Sequence, residues 1–197
     1  MVKEMINLTK NITIVISHPD DEVIFFWYAL PYTKKIICCS SDLTNTCCPQ
    51  WKYRKTALFE IGKLIDAEII CLDYWSRFYR WAENNNSRLK KFSNEILKFV
   101  NKNDIIFSHN PWGEYKNLDH ILVNKILTQN KIKFLYSNIY FSGGDFKKFH
   151  PSLPKKSIGT FINDLDFYKQ CQDIYDKYNC WTWHQKPILK VKIYQCI

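Results

Sequence analysis

The chain is predicted to be an α/β protein, with a mostly parallel sheet flanked by helices. Three observations point there. From residue 12 to residue 136, short runs rich in Ile, Val, Phe or Leu alternate with segments of helical periodicity. Two of those runs, Ile14-Val15-Ile16-Ser17-His18-Pro19 and Ile105-Ile106-Phe107-Ser108-His109-Asn110-Pro111, end alike, in Ser-His followed by Pro. The first also runs straight into Asp20, Asp21 and Glu22, where turn residues would be ordinary. In an open parallel sheet, ligands bind beyond the carboxyl ends of strands where the winding reverses. If the first and fourth strands are neighbours, both Ser-His ends face one crevice.

The elements follow in order. A β-branched strand covers 12–16, and a helix over 21–30 follows, with Pro19 suited to a first helical position because its missing N–H would be unpaired there. A strand at 35–40 leads to a helix at 51–65, and a strand at 68–72 follows. The polar run Glu83 to Ser87 reads as a loop before a helix at 88–101. The fourth strand is 104–108. Ile121, Leu122, Val123, Ile126 and Leu127 give an apolar face to a helix at 118–129, and a fifth strand covers 132–136. Beyond residue 137 the pattern is sparser: Gly143-Gly144 marks a turn, 157–162 reads as a strand, 164–178 as a helix, and 188–194 alternates like a half-exposed strand.

At 197 residues the whole chain, 1–197, is expected to form one domain with a substantial core. Residues 1–11 are polar and no run is long enough for a membrane span, so neither a secretory signal nor a transmembrane segment is expected. The eight cysteines then read as reduced thiols in a cytoplasmic protein. Cys38-Cys39 and Cys47-Cys48 lack the C-x-x-C spacing of a structural zinc site, and adjacent strand residues point to opposite faces. The net charge of +9 resides largely in scattered pairs such as Lys34-Lys35, Lys90-Lys91, Lys147-Lys148 and Lys155-Lys156, which read as solvated surface. No nucleic-acid partner is expected. The aromatic and basic run Trp75-Ser76-Arg77-Phe78-Tyr79-Arg80-Trp81 follows the third strand, near the crevice, and reads as a substrate contact.

The chemistry concentrates at the two strand ends. His18 and Asp21 flank one turn. His120 falls in the first turn of the helix at 118–129, pointing back at the sheet ends. Two imidazoles and a carboxylate form a ligand set that leaves a fourth zinc position for water. Bound water of that kind has a pKa near roughly 7. Asp20, beside Asp21, is then free to act as general base. Glu22 reads as a first-turn acid that favours the helix dipole, and Glu114 as a residue holding its loop. His109 is either a loop-packing residue or a substrate contact. His184 reads as structural or as part of a lid, and His150 has no motif around it.

His18-Pro19-Asp20-Asp21-Glu22 resembles the His-Pro-Asp-Asp-Glu signature of the LmbE-like, or PIG-L, metal-dependent de-N-acetylases. Gly113-Glu114-Tyr115 through Asp119-His120 resembles that family's second motif. The resemblance spans about residues 12–180 and is specific at these two motifs. It implies a Rossmann-like fold and a site for zinc or another divalent metal. The implied reaction removes the N-acetyl group from a GlcNAc-like amino sugar on a glycoconjugate or nucleotide sugar. The implied ligands are His18, Asp21 and His120, and the implied base is Asp20. Tyr115 matches a tyrosine that stabilises the oxyanion, and Arg54 matches a substrate-binding arginine.

One position departs from the pattern. Asn117 stands where the family has a histidine that serves as general acid or oxyanion stabiliser, so Asp119 is expected to lack its usual partner. Asn117 and His109 are assigned to substrate binding. Three consequences stay open. Another residue, His109 or His184, supplies the acid, or Asp20 performs both proton transfers, or activity is reduced. Two further readings remain: an amidase of the same fold with a non-sugar substrate, and a catalytically weakened, metal-bound glycan-binding protein. The oligomeric state is not legible.

Overall fold

The computed structural model describes residues 10–41, 49–139, 157–162, 164–181 and 190–196. Five strands run parallel: β1 (Ile12–Ile16), β2 (Thr33–Ser40), β3 (Glu68–Tyr74), β4 (Ile105–Ser108) and β5 (Phe134–Ser137). Two more, β6 (Gly159–Ile162) and β7 (Lys190–Cys196), extend the sheet antiparallel, giving the order β3-β2-β1-β4-β5-β7-β6. The expected α/β class with a mostly parallel sheet is the observed one. Winding reverses between β1 and β4, which pair directly in register from Ile12–Ile105 to Val15–Ser108. The two Ser-His ends therefore do lie side by side.

Helices cover both faces. On one side lie α1 (Asp21–Phe26), α2 (Arg54–Ile65) and α7 (Leu165–Lys177), packing Phe25, Leu58, Ile61 and Tyr175 against Ile14 and Ile16. On the other lie α3 (Phe78–Ala82), α4 (Asn86–Phe99) and α6 (Leu118–Gln129), packing Phe78, Phe92, Ile96 and Val123 against Val15 and Ile37. A short helix, α5 (Gly113–Lys116), precedes α6. All five residues of β1 are buried, which is why that strand reads as a β-branched run with only Thr13 polar rather than as an alternating one. Cys38 and Cys39 enter opposite core layers, as expected of neighbours on a strand.

Several boundaries differ from the sequence reading, each for a local reason. The first helix ends at Phe26, and Pro31 begins a separate 3-10 turn over Leu30–Tyr32. Pro19 lies outside that helix, whose N-cap is Asp20 with φ 104°. The second helix starts at Arg54, after a 3-10 segment over Pro49–Tyr53. In the polar run 83–87, Asn85 caps α4 by accepting from the Arg88 amide at 3.0 Å, so the helix begins inside the expected loop. Gly143-Gly144, His150, His184 and the Cys47-Cys48 pair lie outside the described residues. Among the described residues, no helix is long and apolar enough to cross a membrane.

Candidate functional site

The ends of β1 and β4 and the start of α6 bring five titratable side chains together. His18 leaves β1, Asp21 opens α1, His109 leaves β4, Glu114 sits in α5 and His120 in the first turn of α6. The loop before α6 is tightly bent. Gly113 has φ 67°, and a Cβ there would lie 2.9 Å from Ile121, so a glycine is required. Glu114 and Lys116 also adopt positive φ, 56° and 65°. Asn110 locks this bend by accepting from the Glu114 amide at 2.9 Å, while its own amide donates to Glu114 Oε1 at 3.0 Å.

Three ligand-capable atoms form a nearly equilateral triangle. His18 Nδ1 lies 3.5 Å from Asp21 Oδ2, and His120 Nε2 lies 3.4 Å from the same oxygen. The two nitrogens are 3.3 Å apart. A tetrahedral ion with bonds of about 2.0–2.1 Å holds its ligands roughly 3.3 Å apart. The residues present therefore fit such an ion without rearrangement. His18, Asp21 and His120 make one group able to hold a metal; His109, Glu114 and His120 make another.

The far side of each imidazole is also held. His18 Nε2 meets Asp119 Oδ2 at 2.9 Å, and His120 Nδ1 meets Glu114 Oε2 at 2.7 Å. A carboxylate behind each histidine sets its tautomer and turns the other nitrogen toward the triangle. Glu114 Oε2 also meets His109 Nδ1 at 3.1 Å, while His109 Nε2 faces the Ser17 amide at 3.0 Å. The His109 and His120 rings stack, with centroids 3.8 Å apart.

The electrostatics follow from this crowding. Burial works against charge on His18, but hydrogen bonds to the Asp119 and Asp21 carboxylates raise its pKa well above the ordinary value. Burial likewise opposes ionisation of Asp21, yet His120 and His109 hold its carboxyl well below the usual range. His109, despite burial, is raised to about 9 by Glu114 and Asp21. His120 is lowered, first by burial. Asp20, Asp21, Glu114 and Asp119 are four buried carboxylates, and among the described residues Arg54 is the one buried guanidinium beside them, an excess of acid that suits a cation.

An open cleft of about 580 Å³ lies over the triad, lined by His18, Asp20, Asp21, Arg54, Tyr115 and Asn117 among others. Of the eight residues given a catalytic, substrate-binding or metal role in the sequence, these six share the cleft, together with Ser76, Arg77, Tyr79 and Asp119, and His120 lies beneath it, fully buried. Four of the residues singled out have surroundings that the sequence did not show. Asp20 lies outside the ligand triangle, and Arg54 Nη2 is 2.8 Å from its carboxylate. His109 is completely buried and does not line the cleft, which places it with the packing residues of its loop rather than at the cleft surface. The Asp119 carboxylate has no bond to the Asn117 side chain, and instead accepts from the Arg77 amide at 2.6 Å and the Tyr79 amide at 2.9 Å besides holding His18. Glu22 does lie in the first turn of α1 as a structural acid, but not as a charged one at the surface. It is fully buried, with its pKa pushed up to about 8 chiefly by that burial, and it joins the Asp20 amide (3.0 Å) to the Tyr175 hydroxyl (2.5 Å).

The Asn117 amide does two things. Its Oδ1 caps α6 by accepting from the Asp119 amide at 2.9 Å, and its Nδ2 donates to the Tyr115 hydroxyl at 2.9 Å.

The fold has solved counterparts. The A40926 pseudoaglycone deacetylase Dbv21 aligns with TM-score 0.56 at 11% identity, over 87% of this chain and 82% of that one. A deacetylase–teicoplanin complex from the biosynthesis pathway of teicoplanin aligns with TM-score 0.57 at 10% identity, over 94% of this chain and 98% of that one. These neighbours are deacetylases that share this α/β fold. No family model matches the chain, and no curated protein matches it in sequence.

Proposed function

We propose that this chain is a single-domain, divalent-metal-dependent deacetylase of the LmbE-like, or PIG-L, type. Its substrate is a GlcNAc-like N-acetylated amino sugar on a larger carrier. The observation that carries the reading is the 3.3–3.5 Å triangle of His18, Asp21 and His120 at the floor of an open cleft. The deacetylase neighbours support the reaction class. We place the enzyme in the cytoplasm, on the free thiols of Cys38, Cys39 and Cys171.

Zinc, or another divalent ion, held by these three side chains would supply Lewis acidity and an ionised water at neutral pH. Asp20 takes the proton from the attacking water, and Arg54 holds its carboxylate at the cleft wall. Tyr115 donates its O–H to the oxygen that becomes negative as the amide carbon turns tetrahedral. Asn117 fixes that phenol from the other side. His109 is buried away from the cleft whereas Asp20 lines it, and we assign to Asp20 the return of the proton to the leaving amine.

Acetate release should be assayed on the metal-loaded protein with free, phosphorylated and nucleotide-linked N-acetyl sugars, with N-acetyl amino acids as the non-sugar control. Release from a sugar, abolished by chelation and restored by zinc, is expected. Release only from amino acids would indicate the non-sugar amidase. Asn117, which cannot titrate, favours one other reading, a metal-bound glycan binder. Sugar binding without any acetate release would establish it.

A further inference from the structure

The cleft is not the end of the concave surface. Ser76 and Arg77 form a wall shared between it and a second hollow of about 540 Å³, where Trp75, Trp81 and Arg80 are prominent. The segment carrying them is latched to the metal-site residues, since Asp119 accepts from the amides of Arg77 and Tyr79 while holding His18. Trp75 is 71% exposed, a large apolar surface left in water beside a cleft. Arg88 lies over the Trp81 ring at 5.5 Å. Among the described residues, no carboxylate lies within ion-pair distance of Arg77, Arg80 or Arg88, and the Asp73 carboxylate in the hollow is taken by Lys55 at 2.6 Å.

Moving outward from the triad, the surface thus presents a ligand-capable site, then a guanidinium, then indoles with further guanidiniums. A guanidinium is suited to phosphate oxygens, and an indole to the face of a heteroaromatic ring. We propose that the second hollow is a subsite for a nucleoside diphosphate, with the diphosphate at Arg77 and the nucleobase on Trp75. Resting on the deacetylase reading above, this makes the substrate a nucleoside diphosphate-linked N-acetyl amino sugar. A sugar at the triad, a diphosphate on its anomeric carbon and a base beyond follow the same order as the surface.

Two measurements on the metal-loaded protein keep this claim separable from the deacetylase reading. The first compares kcat/KM for N-acetylglucosamine, its 1-phosphate, a prenyl diphosphate-linked form and UDP-N-acetylglucosamine. We expect the last to exceed the 1-phosphate by about tenfold or more, the effect of one stacked base. Trp75→Ala should cancel most of that ratio. Equal values for the two, or a prenyl-linked substrate in the lead, would overturn the proposal while leaving deacetylation standing. The second measures UDP binding by calorimetry, without turnover. Trp75→Ala and Arg77→Ala should each weaken it by about tenfold, and the Arg77 effect should shrink with added salt. If UDP does not bind, or binds both variants as well as the parent, the subsite is wrong whatever the enzyme hydrolyses.

Discussion

The Arg54 guanidinium meets the Asp20 carboxylate at 2.8 Å, and both line the cleft above His18 and Asp21. Both partners are more than nine-tenths buried, so each is held in one place by the other. Arg54 is further fixed by the Trp51 ring at 4.4 Å and by donation from Nε to the Cys180 carbonyl at 3.4 Å. Asp20 itself sits at φ 104°, outside the usual range for a residue with a side chain, and Glu22 accepts from its amide.

This pairing makes the base position testable. Asp20→Asn should keep its metal and lose about 10²–10⁴-fold in kcat, the usual worth of general-base catalysis. Arg54→Ala should also keep its metal while lowering kcat, because Asp20 is no longer held. Near-normal turnover in Asp20→Asn, with metal content unchanged, would remove Asp20 from the mechanism.

Glu114 should govern metal affinity without touching the ion. Its Oε2 contacts Nδ1 of both His120 and His109, so Glu114→Gln unsettles the tautomer of a ligand rather than the ligand itself. The loss of a partner behind a metal-bound histidine typically costs 10–100-fold in affinity. Competition with a chromophoric chelator would read this directly. An unchanged dissociation constant would reduce Glu114 to a loop-holding residue.

Glu22 should leave a mark on stability against pH. Its folded pKa of about 8 exceeds its ordinary 4.5, so the folded state keeps a proton that the unfolded chain has released. The associated stabilisation is complete below about pH 4.5 and is lost as pH rises toward 8, with a slope of at most about 1.4 kcal/mol per pH unit. Glu22→Gln imitates the neutral acid between the Asp20 amide and Tyr175. Urea unfolding at several pH values should show a shallower decline in this variant than in the parent. Identical declines would mean that Glu22 is ionised in the folded protein.

Much of this arrangement was legible before any coordinates. Ile12–Ile16 and Ile105–Ser108 are apolar enough to be central strands, and their matching Ser-His ends placed His18 and His109 at one crevice. What escaped reading depends on contacts distant in sequence or on unusual backbone. Asp119 grips His18 across 101 residues and Tyr175 reaches Glu22 across 153, which no local pattern encodes. The left-handed conformations of Asp20, Arg77, Glu114 and Lys116 occur at residues with no glycine signal to announce them. His109 shares the Ser-His motif with His18 but is turned inward, where Asn124 binds its carbonyl at 2.7 Å and Glu114 its ring. The only written hint of Glu114's role is its place between two histidines, five residues after one and six before the other.

The central claim is that His18, Asp21 and His120 together hold one divalent ion. Metal analysis of the purified chain beside His18→Ala and His120→Ala tests it most directly, with circular dichroism to verify folding. About one zinc or similar ion per parent chain, and a loss of most of it in each folded variant, is the expected result. Full metal content in both folded variants would contradict the assignment.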